Sequence, residues 1–266
     1  MKIAMGTLLP LLARYFFVGS AKSLIVKPIS AQDANRIIRS LHYSGKIVPN
    51  SQLHLGVFLD GKCGGAMSFG PSTDKRRMLG LVSGTLWNEF VELNRMAFAD
   101  WLPRNGESRC IAYAMRLIKK TYPHLKWVVS FADGTQCGDG TIYRASGFNL
   151  IGIKKNTSLL KMPNGEIVSE KTLNNPNHMT IDGRFGSALA REQGAKPIPG
   201  FQLRYIYFLD PSARSRLTVP ILPFSEIEKR GAKMYLGKSS VVSADSGTAG
   251  IQPARDGANP ITTLSS

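Results

Sequence analysis

The dipeptide Asp60-Gly61, which stands between two apolar runs, constrains the fold more than any other short stretch of the chain. Both residue types tolerate the positive φ angles of a two-residue hairpin turn. We therefore expect a strand at residues 53–59 to pair with an antiparallel strand at residues 64–69. A purely alternating Rossmann order does not contain such a hairpin. In addition, no G-x-G-x-x-G motif follows the first strand and no Walker A motif is present.

Further strands and helices are predicted on both sides of this hairpin. Ser30 is typical of a helix N-cap, and Ser108 opens a second helix that Pro123 ends. Apolar or alternating runs predict other strands at residues 23–29, 90–98, 127–131, 148–153 and 201–209, with a short helix at 141–146. The resulting order, β-α-β-β-β-loop-α-β-α-β, predicts an α/β fold with a mixed central sheet flanked by helices. Residues 75–77 are expected in a polar loop, and residues 154–200 are expected to be loosely ordered.

Length and composition predict one main domain with an extension at each end. A chain of 266 residues that is 43% hydrophobic suits one core of ordinary size. We expect a leader-like extension at residues 1–21, because Pro10 and Arg14 interrupt its apolar run before it reaches the roughly 20 residues that span a bilayer. The main domain is expected at residues 22–210, followed by a C-terminal extension at 211–266 that is disordered from about residue 238. No membrane partner is expected.

The charge and the cysteines narrow the class of partner and the compartment. Lys and Arg number 34 against 18 Asp and Glu, a formal net charge of +16, which favours a polyanionic partner. Nucleic acid is the commonest such partner, with an anionic membrane or an acidic protein as alternatives. The three cysteines, Cys63, Cys110 and Cys137, are odd in number and lie far apart. This pattern argues against a disulfide framework or a thiolate zinc site and fits a reducing cytoplasm.

The junction before the second long helix has the composition of an anion site. Arg104 and Arg109 flank Ser108 where a strand leads into a helix start, and free backbone N–H groups collect at such starts. A pyrophosphate or a nucleic-acid phosphate is the predicted ligand. The alternative is that Ser108 only caps the helix and that the arginines are solvated.

The segment that begins at Tyr143 has the pattern Y-x-x-x-G-F at a short helix followed by a strand. This pattern, with the order of elements, resembles the acyl-CoA-dependent N-acetyltransferase superfamily. The resemblance implies an N-acetyltransferase-like mixed sheet and a tyrosine that protonates a leaving thiolate. Arg104 stands at the first position of the superfamily's phosphate loop, but Glu107 stands where its first glycine is expected. An acetyl-CoA-dependent N-acetyltransferase acting on a small amine or a protein therefore remains an alternative function.

Several separated motifs within residues 42–148 occur together in a specific order. They are His42-Tyr43-Ser44, Glu92-Leu93-Asn94-Arg95-Met96, Ser130-Phe131-Ala132-Asp133-Gly134 and Gly138-Asp139-Gly140-Thr141-Ile142-Tyr143. This set resembles the Mom family of phage DNA-modification proteins. The resemblance implies transfer of a carbamoylmethyl group to N6 of adenine, which protects phage DNA from restriction in the cytoplasm of an infected or lysogenic bacterial host. It also implies that Arg95, Ser108 and Tyr143 surround the donor, and that His42, Tyr43 and Asp133 lie near the reacting centre.

The chemistry of such a reaction can be stated from the residues themselves. The lone pair of N6 is delocalised into the adenine ring, so an enzyme has to accept an N6 proton while it aligns N6 on an electrophilic carbon. Asp133 is the candidate for binding N6–H, His42 for relaying a proton and Tyr143 for protonating the leaving group. Phe131, Tyr43 or Trp87 is expected to stack on a base that has left the duplex. On the other reading, Asp133 is a turn residue, His42 is a capping group, and Arg95 pairs with Glu92 or Asp100.

The cofactor and partner predictions follow from the same residues. An acyl-CoA-like donor is expected at Arg95, Ser108 and Arg104. His42 and Asp133, with the nearby tyrosines, offer nitrogen and oxygen ligands for iron or another divalent metal. Double-stranded DNA is the expected partner, and a homodimer is an expected assembly. The basic side chains expected to contact phosphates are Lys75, Arg76, Arg77, Arg116, Lys119, Lys120, Lys154 and Lys155. The charge alone also allows a non-catalytic DNA-binding protein.

Overall fold

A seven-stranded sheet forms the centre of the protein in a computed structural model, which describes residues 20–135, 138–175, 186–235 and 238–239. The strand order is β1-β2-β3-β4-β5-β10-β6. Its strands are β1 (Ile25–Pro28), β2 (Leu53–Leu59), β3 (Lys62–Gly70), β4 (Phe90–Phe98), β5 (Trp127–Asp133), β6 (Asn149–Asn156) and β10 (Gly200–Phe208). The expectations for residues 1–19 and for residues 240–266 fall outside the described part of the chain.

The pairing within this sheet is antiparallel except between β4 and β5, which are parallel. The predicted hairpin is present: β2 pairs with β3, and Asp60 and Gly61 between them have φ angles of 50° and 79°. Positive φ at both central residues matches the right-handed twist of the flanking strands. The predicted α/β fold with a mixed central sheet is confirmed.

Helices cover both faces of this sheet. They are α1 (Ala31–Leu41), α2 (Lys75–Leu79), α3 (Gly106–Thr121), α4 (Thr141–Ala145), α5 (Glu170–Leu173), α6 (Gly186–Glu192) and α7 (Ser225–Lys229). Ser30 caps α1 as predicted, since its Oγ accepts a hydrogen bond from the backbone N–H of Asp33 at 3.0 Å. The prediction that Ser108 opens the second long helix is wrong by two residues. The helix begins at Gly106, because Asn105 before it adopts a left-handed conformation with φ of 63°.

The alternation of side chains along the strands separates two layers of core. Val128 packs on one face with Ile111 and Met115 of α3, whereas its neighbour Val129 packs on the other face. On that second face the rings of Phe90 and Trp127 stack at 4.2 Å. Helix α1 covers the same second face further along, where Ala34 and Ile38 contact Ala66 and Ala97. The face opposite α3 therefore carries α1 at one end and a second apolar layer at the other.

The segment between β6 and β10 is more ordered than the sequence predicts. Strands β7 (Leu159–Lys161), β8 (Ile167–Ser169) and β9 (Lys196–Pro197) form a separate small sheet in the order β8-β7-β9. This sheet and helices α5 and α6 enclose a small apolar cluster around Leu160, Ala190 and Ala195. The expectation of loose order for residues 154–200 is therefore wrong for its described part. Residues 75–77 likewise belong to the short helix α2 rather than to a loop.

Packing also continues beyond residue 210. A 3-10 helix, Pro211–Arg216, buries Ala213 in the second apolar layer, and helix α7 with the turn after it buries Ile227 and Ala232 in the layer that also contains Ile111 and Met115 of α3. Two further short strands, β11 (Met234–Tyr235) and β12 (Lys238–Ser239), pair with each other. Cys63 and Cys110 are free, and Cys137 lies outside the described residues. A search of the described residues finds no helix that is both long enough and apolar enough to span a bilayer.

Candidate functional site

Strands β4 and β5 are paired over only part of their length, and this leaves an opening in the sheet. Their register runs from Phe90 opposite Trp127 to Glu92 opposite Val129. Beyond that point β4 stays bonded to β3 and β5 stays bonded to β10, as far as Phe98 and Asp133 respectively. The two strands therefore separate toward their carboxyl ends, where the sequence places most of the predicted site residues.

A cavity of about 660 Å³ lies at this opening, on the face of the sheet opposite α3. We call it the basic cleft. Its polar and aromatic lining consists of Tyr43, Ser72, Thr73, Asp74, Arg77, Glu92, Asn94, Arg95, Phe131, Asp133, Lys154, Asn156, Lys171, Gln202 and Arg204. Five of these side chains are cationic and three are acidic, so the cleft favours an anionic ligand. Three of the predicted site residues, Tyr43, Arg95 and Asp133, lie together in it.

Asp133 ends β5 and is half-buried in the cleft. One of its carboxylate oxygens, Oδ1, accepts a hydrogen bond from the backbone N–H of Thr135 at 3.0 Å, which is the geometry of an Asx turn. Across the sheet its Cα lies opposite that of Gln202. Asp133 is therefore both a turn residue and a lining residue of the cleft. The hydrogen bond within the turn fixes its carboxylate at the end of β5, where the cleft begins.

His42 and Tyr43 follow the end of α1, and their rings lie 4.2 Å apart. The Nδ1 atom of His42 is 2.8 Å from Ser44 Oγ. Burial and the nearby charge of Arg95 lower the pKa of His42 to about 4, so its imidazole is neutral at physiological pH. The guanidinium of Arg95 donates to the carbonyl of Lys46 at 3.1 Å and to that of Asn94 at 2.8 Å. Arg95 thereby fastens the loop after α1 to β4.

Glu92 and Asn94 line the cleft, and they belong to a hydrogen-bonded network. Asn94 accepts from Ser51 Oγ at 2.9 Å and donates to the carbonyl of Pro71 at 3.2 Å. Burial raises the pKa of Glu92, although hydrogen bonds from Ser72 and Asn94 and the charges of Arg95 and Lys171 act in the opposite direction. The network holds the floor of the cleft in one arrangement.

A second cavity of about 510 Å³ lies at the start of α3, on the other face of the sheet. We call it the helix-start pocket. It is lined by Phe98, Ala99, Asp100, Leu102, Pro103, Arg104, Asn105, Gly106, Glu107, Ser108, Thr141, Ile142 and Ala145. The predicted residues Arg104 and Ser108 lie here rather than in the basic cleft. Ser108 Oγ donates to the carbonyl of Asn105 at 3.2 Å, and its own carbonyl accepts from Ser146 Oγ at 3.1 Å.

Tyr143 lies on α4, next to residues that line the helix-start pocket, but its side chain is only 7% exposed. Its ring packs 5.2 Å from that of Tyr205 and 5.5 Å from that of Phe148. The structure therefore does not gather Asp133, Tyr143 and Ser108 around one cleft. It places Asp133 in the basic cleft, Ser108 in the helix-start pocket, and Tyr143 on the buried side of α4.

The aromatic candidates for base stacking are also divided. Phe131 and Tyr43 line the basic cleft, and Tyr43 is 53% exposed. Trp87 lies in a separate groove with Lys75, whose Nζ is 4.5 Å from the centre of the indole ring. Lys171, Gln202 and Arg204 reach the cleft from the later part of the chain and were not predicted as site residues. The only signal for two of them is the alternation of residues 201–209, which places Gln202, Arg204 and Ile206 on one face.

The predicted metal site at His42 and Asp133 is not supported. Among the described residues, no group of three or more His, Cys, Asp or Glu side chains is arranged to hold a metal ion. The hydrogen bond between His42 and Ser44 occupies Nδ1, and the hydrogen bond to Thr135 occupies one oxygen of Asp133. The described donor atoms therefore give no support for a divalent cation at this position.

Comparison with known proteins gives matches in both sequence and structure. The solved structures of ribosomal-protein-S18-alanine N-acetyltransferase from Escherichia coli and of an IAA acetyltransferase from Bacillus cereus are 12% and 10% identical, with TM-scores of 0.39 and 0.41. Each covers 70% of this chain, and the matched regions are 94% and 99% of those proteins. At this level the resemblance assigns neither a ligand nor a reaction.

The sequence matches are stronger and cover most of the chain. Methylcarbamoylase mom of Escherichia phage Mu is 38% identical over 203 residues, which are 76% of this chain and 82% of that protein. The model of the Mom protein family matches residues 23–226, which include the basic cleft, the helix-start pocket and the small sheet. The chain belongs to the Mom protein family.

Proposed function

We propose that this chain is a transferase that converts adenine in DNA to N6-carbamoylmethyladenine, and that the product protects phage DNA from restriction inside the bacterial host. Membership of the Mom family and the methylcarbamoylase name of the phage Mu relative support the proposal. The observation that carries it is the basic cleft. There the carboxylate of Asp133 lies among side chains that are mainly cationic, on the face away from the helix-start pocket.

The substrate we propose is double-stranded DNA from which one adenine has turned out of the helix. A base inside the duplex keeps N6 in its base pair, so N6 becomes accessible only when the base leaves the stack. The cleft volume of about 660 Å³ falls within the range of ordinary ligand pockets, roughly 300–1,000 Å³. Phe131 and the exposed ring of Tyr43 offer flat surfaces for the base, and the cationic side chains offer contacts for the phosphates.

The proposed group transfer forms one bond at N6 of adenine and breaks one bond in the donor. The N6 nitrogen forms a bond to the methylene carbon of the carbamoylmethyl group, and the bond from that carbon to the leaving group breaks with its electron pair. One N6 proton passes to the carboxylate of Asp133. The imidazole of His42 is neutral at physiological pH, so it can pass a proton onward by accepting it on one ring nitrogen while it releases another from the second.

The donor we propose is a carbamoylmethyl group on a CoA-like carrier in the helix-start pocket. Backbone N–H groups at the start of α3, with Arg104 and Ser108, are the proposed contacts for an anionic carrier, and Asp100 and Glu107 also line the pocket. Strand β4 contributes Phe98 to the pocket and Arg95 to the cleft, so the proposed donor and acceptor sites lie on opposite faces of the same strand, next to the opening between β4 and β5. Tyr143 beside the pocket is the proposed proton donor to the leaving group.

Mass spectrometry of nucleosides tests this function directly. The chain is expressed in bacteria, the cellular DNA is digested, and the deoxyadenosine fraction is compared with that of a vector-only culture. We expect a deoxyadenosine derivative whose mass and fragmentation show a carbamoylmethyl group on N6. Unaltered deoxyadenosine in cells that contain the folded protein would refute the proposal, and an N6-acetyl derivative would identify an N-acetyltransferase instead.

A further inference from the structure

Arg204 projects into the basic cleft from β10 and is an unusual residue for that strand. Its Cα lies opposite Phe131 of β5 on one side and opposite Gly152 of β6 on the other. A Cβ atom on Gly152 would approach Nη2 of Arg204 to 3.2 Å. Because Gly152 has no side chain, it leaves space above the sheet for the guanidinium. Arg204 lies on β10 opposite Phe131, and both residues line the cleft.

The guanidinium of Arg204 is incompletely satisfied. Its Nε is fully buried and has no hydrogen-bond acceptor among the described residues. Burial lowers the pKa of Arg204, and the like charge of Arg77 lowers it further. Within the described part of the chain neither arginine forms an ion pair. Two neighbouring cations and a buried N–H without an acceptor are the features of a site that is completed by an anion.

The geometry of the guanidinium and its position in the fold narrow the identity of this anion. A planar guanidinium offers paired N–H groups that match the oxygens of a phosphate. The carrier proposed above binds at the start of α3, on the opposite face of the sheet, so its phosphates lie away from Arg204. The phosphates of the DNA backbone are the remaining candidates for this anion. Contacts between a protein and these phosphates fix the register of the protein on DNA.

We infer that Arg204 and Arg77 together bind one phosphate of the DNA backbone next to the adenine that enters the basic cleft. This inference rests on the proposed function. The pairing of β10 with β5 brings this phosphate site close to the proposed proton acceptor. Arg204 lies opposite Phe131, and Gln202 lies opposite Asp133. A phosphate held at Arg204 anchors the nucleotide two cross-strand pairs away from the carboxylate that takes the N6 proton, which is the next position on the same face of the sheet.

Replacement of single phosphates by uncharged methylphosphonates tests the contact. The probe is a short fluorescent duplex with one adenine opposite an abasic site, so that the base leaves the stack easily. Each linkage that flanks the adenine is replaced in turn, and binding of the purified full-length protein is followed by anisotropy. We expect one linkage to weaken binding by wild-type protein about tenfold. Arg204→Met is expected to bind the unmodified duplex about tenfold more weakly and to lose the sensitivity to that linkage.

Two further variants control the experiment. Arg39→Met removes the same charge from the exposed side of α1 and is expected to retain the full sensitivity to the linkage. Arg204→Lys keeps the charge but not the paired donors, so a smaller loss is expected, and it replaces Arg204→Met if that variant does not fold. Equal sensitivity of wild type and the Arg204 variants at every linkage would overturn the inference. Unchanged binding of the unmodified duplex by the Arg204 variants would also overturn it, and would assign the anion to the carrier instead. This assay involves no group transfer, so its outcome is independent of whether deoxyadenosine is found to be modified.

Discussion

The basic cleft and the helix-start pocket differ in how their polar groups are held. In the cleft, side chains on adjacent strands bond to one another and to loops, as Asn94 does with Ser51 and with the carbonyl of Pro71. In the pocket, Ser108 donates only to the carbonyl of its own helical turn, and Arg104 is exposed. Groups fixed from several directions are suited to aligning reacting atoms, whereas a helix start is suited to binding an anion. The difference indicates that the acceptor chemistry depends on the cleft and that carrier binding depends on the pocket.

The largest expected effect comes from Asp133→Asn in the cleft. The amide oxygen can still accept the hydrogen bond from Thr135, so the turn and the fold are expected to remain. The amide cannot take the N6 proton, and removal of a general base typically costs about 10²–10⁴-fold in rate. We therefore expect the N6-modified fraction of deoxyadenosine to fall below detection while the melting temperature changes little.

Asp60→Asn is the matched control for this substitution. Asp60 lies in the β2–β3 turn with a φ of 50°, a conformation that asparagine adopts as readily as aspartate. Modification is expected to be unchanged in this variant. Full modification by Asp133→Asn would show that the cleft carboxylate is only a turn residue, and the contrast between the two cavities would lose its chemical meaning.

The features that could be predicted from sequence are those encoded by neighbouring residues. The Asp60-Gly61 turn and the Ser30 cap depend on local backbone preferences, and both are present in the structure. Lys171 and Arg204 reach the cleft only because α5 and β10 return to the sheet beside β4 and β5, a relation that no local pattern contains. The division into two cavities was missed for a similar reason. It depends on which face of the sheet α3 covers.

A smaller effect is expected from Tyr143→Phe, which tests the other cavity. The phenylalanine ring keeps the packing against Tyr205 and Phe148, so stability should be nearly preserved. If the hydroxyl protonates the leaving group, its loss should reduce the modified fraction by about ten- to a hundredfold under limiting expression. The readout is the same nucleoside analysis, with protein abundance measured in parallel.

Tyr113→Phe controls for the loss of a phenolic hydroxyl. Tyr113 lies on α3 itself, but it is 45% exposed and does not line the helix-start pocket. We expect full modification in this variant. Full modification by Tyr143→Phe would show that Tyr143 does not protonate the leaving group. The helix-start pocket would then serve only to bind the carrier.

The smallest expected effect concerns the dependence of stability on pH at the edge of the basic cleft. The pKa of His42 is lowered from 6.5 to about 4 in the folded protein, because of burial and then the charge of Arg95. Between these two pH values the unfolded chain binds a proton that the folded protein does not, so the free energy of unfolding decreases as the pH falls from 6.5 toward 4. With allowance for partial exposure, His42 should account for about 1 kcal/mol of this loss between neutral pH and pH about 5.

Denaturant unfolding of wild type and His42→Gln at several pH values measures this contribution. The glutamine variant is expected to lose less stability on acidification, by about 1 kcal/mol, because it has no imidazole to protonate in the unfolded state. The buried His54, whose pKa burial also lowers, remains in both proteins and cancels in the comparison. His124→Gln, at an exposed position, is expected to follow the wild-type curve. A His42→Gln curve parallel to that of wild type would mean that His42 is not held neutral beside Arg95. The edge of the cleft would then lack the neutral imidazole that we propose passes the proton onward from Asp133.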